Sequence, residues 1–168
     1  MIKKKKRKNR TEKTIIAIDP GPLHSGVIRL EGDSVTFVDA GMENRYLREW
    51  AQRYTPDVLA VEGIECHGMA VGKPVFETCY MVGRLQQIAE DMDQPFMLVY
   101  RSQEKMHLCH SMQAKPKNIR QALLDMFPAT GGGKTPQVGI QSNKGPLFGV
   151  GTHAWSALAI AVYARDHI

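Results

Sequence analysis

Between Thr14 and Leu30 the chain alternates a short apolar run, a tight turn and a second apolar run. Ile15, Ile16, Ala17 and Ile18 are too few for a helix and rich in β-branched residues, and Pro20, Gly21 and Pro22 force a turn directly after Asp19. Asp19 is therefore expected at a strand end. Gly26 to Leu30 follows so closely that the two runs predict an antiparallel hairpin. Ser34 to Asp39, with Val35 and Phe37 in alternation, predicts a third strand that Gly41 ends. The period then changes. Within Glu43 to Tyr54, Tyr46, Leu47, Trp50 and Ala51 share one helical face opposite Arg45, Arg48, Glu49 and Arg53, and Pro56 stops the helix. Val58-Leu59-Ala60-Val61-Glu62 predicts a buried strand that again ends in a carboxylate.

Gly63 to Lys73 reads as loop, and Pro74 opens a long helix to about Asp93, with Cys79, Val82, Leu85, Ile88 and Ala89 as its inward stripe. Phe96 to Tyr100 is a further strand. Ser102 is placed to cap a short helix carrying Lys105, and Lys115-Pro116-Lys117 leads a helix with Ile119, Leu123, Leu124 and Phe127 apolar. Pro128 to Gly149, rich in glycine and proline, predicts a flexible loop. In the final helix Thr152 is a plausible N-cap, and Ala154, Ala157, Ala161 and Ala164 form a small-residue face that can lie close against a sheet. Three strands, helix, strand, helix, strand and helices make an α/β fold, a mixed sheet with helices on its faces.

A length of 168 residues fits one domain and buries a core without disulfide or metal staples. The three cysteines, Cys66, Cys79 and Cys109, are odd in number and irregular in spacing, which points to a reducing compartment. Cys66-His67 and Cys109-His110 lack the short Cys-x-x-Cys spacing of zinc ribbons. The longest apolar stretch, Ala154 to Ala164, is far short of the roughly 20 residues a spanning helix needs, so no membrane association is expected.

Charge changes the picture once it is divided along the chain. Residues 1 to 13 hold eight of the 22 basic residues and one of the 17 acidic ones, a net of +7, so residues 14 to 168 carry 14 minus 16, or −2. The basicity belongs to an N-terminal arm, Lys3, Lys4, Lys5, Lys6, Arg7 and Lys8 with Arg10 and Lys13. Such a run cannot pack. It is expected to be disordered when free and suited to nucleic-acid phosphates, although a solubilising tail or a nuclear import signal has the same composition.

Candidate chemistry begins with the two strand-end acids. Asp19 and Glu62 would lie side by side if their strands are parallel neighbours, and oxygen ligands of that kind suit magnesium or manganese. Alone, Asp-Pro-Gly fits a plain polar turn equally well. His153, opening the last helix, is the best placed third ligand, although a single histidine there is often structural. Gly131-Gly132-Gly133-Lys134-Thr135 looks like a nucleotide-binding P-loop, but the first required glycine falls on Pro128 and no strand leads into it. An actin-like or sugar-kinase phosphate loop would need two domains, and the chain supplies one.

Four segments together resemble the RuvC-type Holliday junction resolvases of the ribonuclease H-like superfamily, in their compact bacterial and phage versions: Ile16 to Gly21, Val61-Glu62, the lysines around 105 to 117, and Thr152 to Ala161. The resemblance implies a ribonuclease H-like nuclease domain over 14–168, with a five-stranded mixed sheet of three antiparallel and then parallel strands. It implies metal ligands at Asp19, Glu62, His153 and Ser156, lysines near the DNA backbone and the scissile phosphate at Lys105 and Lys117, and a further DNA contact at Lys115. Two departures stand out. Ser156 occupies a place where the family usually has Asp, and the first aromatic residue after Glu62 is Phe76.

The expected activity is a Mg2+- or Mn2+-dependent endonuclease for branched DNA that resolves four-way junctions and leaves 5′-phosphate and 3′-hydroxyl ends. Two metals ~4 Å apart would be bridged by Asp19 and flanked by Glu62 and His153, with Lys117 or Lys105 stabilising the pentacovalent state. A homodimer is expected, with the Pro74 to Asp93 helix as its contact. The setting implied is the cytoplasm of a bacterial or phage-infected cell, or the nucleus in a eukaryote. A DNA-binding protein with a weakened site and a ribonuclease for RNA–DNA hybrids are the alternatives.

Overall fold

The computed structural model describes residues 13–68 and 70–168. The expected basic arm, including Lys3 to Lys8, lies outside the described residues except for Lys13, whose carbonyl accepts a hydrogen bond from Gly32 N at 3.1 Å.

Strands β1 (Thr14–Asp19), β2 (His24–Glu31) and β3 (Ser34–Glu43) form an antiparallel meander, followed by α1 (Asn44–Arg53). Strand β4 (Val58–Glu62) pairs parallel to β1, helix α2 (Lys73–Asp91) follows, and β5 (Phe96–Val99) pairs parallel to β4. Helices α3 (Arg101–Cys109) and α4 (Pro116–Met126) lead through a small hairpin, β6 (Gly139–Ile140) and β7 (Asn143–Lys144), to α5 (Thr152–His167). The sheet order is β3-β2-β1-β4-β5, which is the mixed five-stranded sheet the sequence predicts.

β1 is apolar from Ile15 to Ile18 because both of its faces are covered. Ile15 and Ala17 point into a cluster with α3, α4 and α5, while Ile16 and Ile18 point into a second cluster with α1 and α2. Ala154, Ala157, Ala161 and Ala164 are fully buried, so the small-residue face does bring α5 close to the sheet. Among the described residues no helix is long and apolar enough to cross a membrane.

Five local expectations are corrected. β3 runs past Gly41 to Glu43, because pairing with β2 resumes at Ser25 and Met42 after a register shift. Cys79 is exposed, and the inward residues of α2 are Thr78, Met81, Leu85, Ile88 and Ala89, one position out of phase with the expected stripe at its start. Ser102 does not cap α3. Tyr100 is the N-cap residue, its amide donates to Gln103 Oε1 at 2.8 Å, and Ser102 instead donates from its amide and hydroxyl to Glu65. Gly151, not Thr152, is the N-cap residue of α5, and the Thr152 hydroxyl donates to the Ala40 carbonyl at 3.3 Å.

The fifth correction is the glycine-rich segment expected as a flexible loop. It closes on itself through Gly131 N to Pro136 O at 2.8 Å and Gly132 N to Asn143 O at 2.9 Å, and it buries Leu147 completely. A Cβ at Gly131 or Gly145 would strike neighbouring backbone, so the glycines serve close packing here. No strand leads into Gly131, which agrees with the rejected P-loop reading.

Candidate active site

The sheet builds the site by ending two strands at the same level. Ile18 is in register with Val61 across the parallel β1–β4 pair, so Asp19 and Glu62 are the next residues of adjacent strands. The turn after Asp19 is stapled from α1: Asn44 Nδ2 donates to Gly21 O at 2.8 Å, and the buried Ser25 hydroxyl donates to Asn44 Oδ1 at 2.7 Å. The Asp19 side chain is 13% exposed.

Helix α5 adds the imidazole. Asp19 pairs with Gly26 across the hairpin, and the His153 backbone lies directly over Gly26. His153 Nδ1 is 3.2 Å from Asp19 Oδ2, and its ring is 57% exposed. Asp19, Glu62 and His153, far apart in sequence, thus come to one rim of the sheet.

The acids are costly to hold together. Burial raises the Glu62 carboxyl to about 8, and its hydrogen bond to Asp19 and the Asp19 charge push the same way. Burial also raises Asp19, and the neighbouring Glu62 side chain offsets part of that rise. Two buried carboxyls that each disfavour the other's charge are a donor pair a divalent cation relieves, and oxygen ligands with one imidazole suit Mg2+ or Mn2+. Asp19, Glu62 and His153 carry donor atoms of the kind such an ion takes. They do not close a cage by themselves: among the described residues no three His, Cys, Asp or Glu side chains form one.

Helix α3 contributes two residues that the sequence reading missed. Glu104 is fully buried, and burial together with the Glu62 charge raises it to about 8 against the pull of Arg101. Arg101 Nη1 donates to Glu104 Oε2 at 2.9 Å and to Ser156 Oγ at 3.4 Å, and its charge favours the ionised forms of both Asp19 and Glu62. The available signal was positional: α3 starts directly after β5, the third of the parallel strands, where side chains reach the same rim.

The remaining expected residues divide. Ser156 lies one turn beyond His153 on α5 and faces Arg101 rather than Asp19. Lys117 lines a groove of about 350 Å³ with Arg101, Ile119, Arg120, Thr152, Trp155 and Ser156. The Arg120 guanidinium stacks over the Trp155 ring at 4.7 Å. Lys105 Nζ donates to the Met112 carbonyl at 3.3 Å, and Lys115 is exposed at the N-cap position of α4. Neither lines that groove.

No protein-family model matches the chain, and no curated protein sequence matches it. Solved structures do. The chain is similar to T. thermophilus RuvC in complex with a Holliday junction substrate, with a TM-score of 0.64 and 18% identity over 92% of this chain and 96% of that one. It is similar to a further Thermus thermophilus RuvC structure at a TM-score of 0.61, with the same identity and coverage. With the strand order and helix placement above, these matches show that the chain has a ribonuclease H-like fold of the RuvC kind.

Proposed function

We propose that the chain is a divalent-metal-dependent endonuclease for branched DNA, resolving four-way junctions by paired nicks that leave 5′-phosphate and 3′-hydroxyl ends. The observation that carries this reading is the Asp19–Glu62 pair at the ends of adjacent parallel strands, with His153 held 3.2 Å from Asp19. A neighbour of the same fold is seen with a Holliday junction, which supports the substrate class.

Asp19, Glu62 and His153 would hold Mg2+ or Mn2+. Such an ion, when bound, lowers the pKa of a coordinated water and takes up charge on the phosphodiester oxygens. The chain's own residues do the rest. Lys117 and Arg120 draw the phosphate backbone into the groove, and Trp155 supplies an apolar wall beside it. The basic arm adds affinity without choosing sequence.

Paired nicks require two copies of the site. Phe76 and Tyr80 are 50% and 63% exposed at one-turn spacing on α2, with Cys79 exposed between them and open space at Gly83. That apolar face fits a second copy of the chain about a two-fold axis. The cytoplasm of a bacterial or phage-infected cell is the corresponding setting.

Asp19→Asn tests the activity directly. Cleavage of a synthetic four-way junction should fall to background while junction binding persists; wild-type cleavage by the variant refutes the proposal. Ser156 favours a second reading, a DNA-binding protein with a weakened site. Cleavage in either Mg2+ or Mn2+ eliminates it, and a parallel RNA–DNA hybrid substrate separates the resolvase from a hybrid-specific ribonuclease.

A further inference from the structure

The place on α5 one turn after His153 carries no acid, and what fills the space in front of it is a guanidinium. Arg101 Nη1 contacts Ser156 Oγ and, at 2.9 Å, Glu104 Oε2. Glu104 is fully buried, and its second oxygen, Oε1, has no hydrogen-bond partner among the described residues. A fully buried carboxyl whose oxygen accepts from an arginine holds that arginine in one position. Arg101 is 30% exposed, and its open side lines the groove shared with Lys117, Arg120, Trp155 and Ser156, in which no acidic residue takes part. The guanidinium therefore faces a groove lined by cationic side chains, and its charge is felt by both Asp19 and Glu62.

We propose that Arg101, fixed by Glu104 and Ser156, supplies the second positive charge of the active site by binding the scissile phosphate, so that each protomer works with a single divalent ion. This rests on the endonuclease reading. In the reaction a water oxygen adds to phosphorus and the P–O3′ bond breaks. The bond's electron pair leaves on O3′, which takes a proton from solvent, and the attacking water's proton passes to bulk. Negative charge grows on the non-bridging oxygens, where a planar fork with two N–H donors is well matched. Arg101 touches substrate and is catalytic; Glu104 is a positioning residue. A second ion in the same space would have to displace the guanidinium from Glu104.

The test counts Mn2+ bound to the full chain by calorimetry and by electron paramagnetic resonance, alongside junction cleavage. Wild type should bind one Mn2+ per chain. Arg101→Ala should still bind one and cleave about 100-fold more slowly, the loss typical of removing one preorganised donor to a developing oxyanion. Arg101→Ala with Ser156→Asp should bind two. Glu104→Gln should slow cleavage, and Arg101→Lys should restore part of the rate lost in Arg101→Ala. Two Mn2+ per wild-type chain, wild-type cleavage by Arg101→Ala, or one ion in the double variant each overturn the proposal while leaving the endonuclease reading intact. No Mn2+ and no cleavage in the wild type overturn both.

Discussion

The backbone of His153 occupies the space that any side chain on Gly26 would need. Gly26 is the β2 partner of Asp19, so the missing Cβ lets the start of α5 settle onto the hairpin beside that carboxylate. The distance of 3.2 Å from imidazole to carboxylate depends on this contact.

Gly26→Ala is accordingly expected to damage the site more than the fold. Overpacking of this kind costs about 1–3 kcal/mol, which a domain with core on both sheet faces can survive. Displacing a reacting group by an ångström costs about 100-fold in rate. Thermal unfolding and junction cleavage, measured on the same preparation, should show a folded protein with its cleavage largely lost. Cleavage within a factor of two of wild type would remove His153 from the mechanism.

The acid pair predicts an unusual pH dependence for the metal-free protein. Glu62 is raised from 4.5 to about 8 in the folded chain, so between those values the native state binds more protons than the unfolded state. Stability from this group is therefore full below about pH 4.5 and is lost as pH rises through about 8. Glu104 is raised to about 8 as well and acts in the same direction. Glu65 and Asp166 are shifted downward, so their contributions change below this window and do not obscure it. With a chelator present, the melting temperature should fall from pH 5 to pH 8 more steeply in the wild type than in Glu62→Gln. Millimolar Mg2+ should stabilise the wild type more at pH 8 than at pH 5. Parallel pH profiles for the two proteins would show that the carboxyl is not raised.

The strand-end acids were legible in the sequence because each follows an unbroken apolar run too short for a helix, and a turn follows Asp19. His153 was legible as the opening of an apolar helix. Arg101 and Glu104 were not, because in a short helix with weak periodicity an Arg and a Glu three residues apart look like a solvated ion pair. Only the tertiary placement of α3 against α5 buries Glu104. Gly26 was read as the start of a strand, since its role depends on a residue 127 positions away. The hairpin within Pro128 to Gly149 escaped because its order comes from backbone hydrogen bonds and close-packed glycines, which leave no apolar rhythm.

Replacing Phe76 and Tyr80 with glutamate should convert a dimer to a monomer in light scattering with little change in melting temperature, because both side chains already face solvent in the single chain. The monomer should nick one strand of a junction and lose the coordination of the second cut. A variant that remains dimeric would move the interface away from α2.

Removing residues 1–12 tests the basic arm. Lys13 must stay, because its carbonyl accepts from Gly32 N, and the next residue, Thr14, donates from its amide to Asp57 Oδ2 at 2.7 Å. The deletion takes away seven basic residues and one acidic residue, a net of +6, and leaves a chain whose net charge is −1. Every phosphate that the arm no longer neutralises should reduce the slope of log K against log salt by about 0.9 on duplex DNA. Junction affinity should therefore drop most at low salt, and the truncated and full-length curves should converge as salt rises. Cleavage at saturating enzyme should be nearly unchanged, since the acids, His153 and Arg101 all lie beyond the cut. Fluorescence anisotropy on a labelled junction across a salt titration measures both slopes, and identical slopes would show that the arm does not touch the DNA.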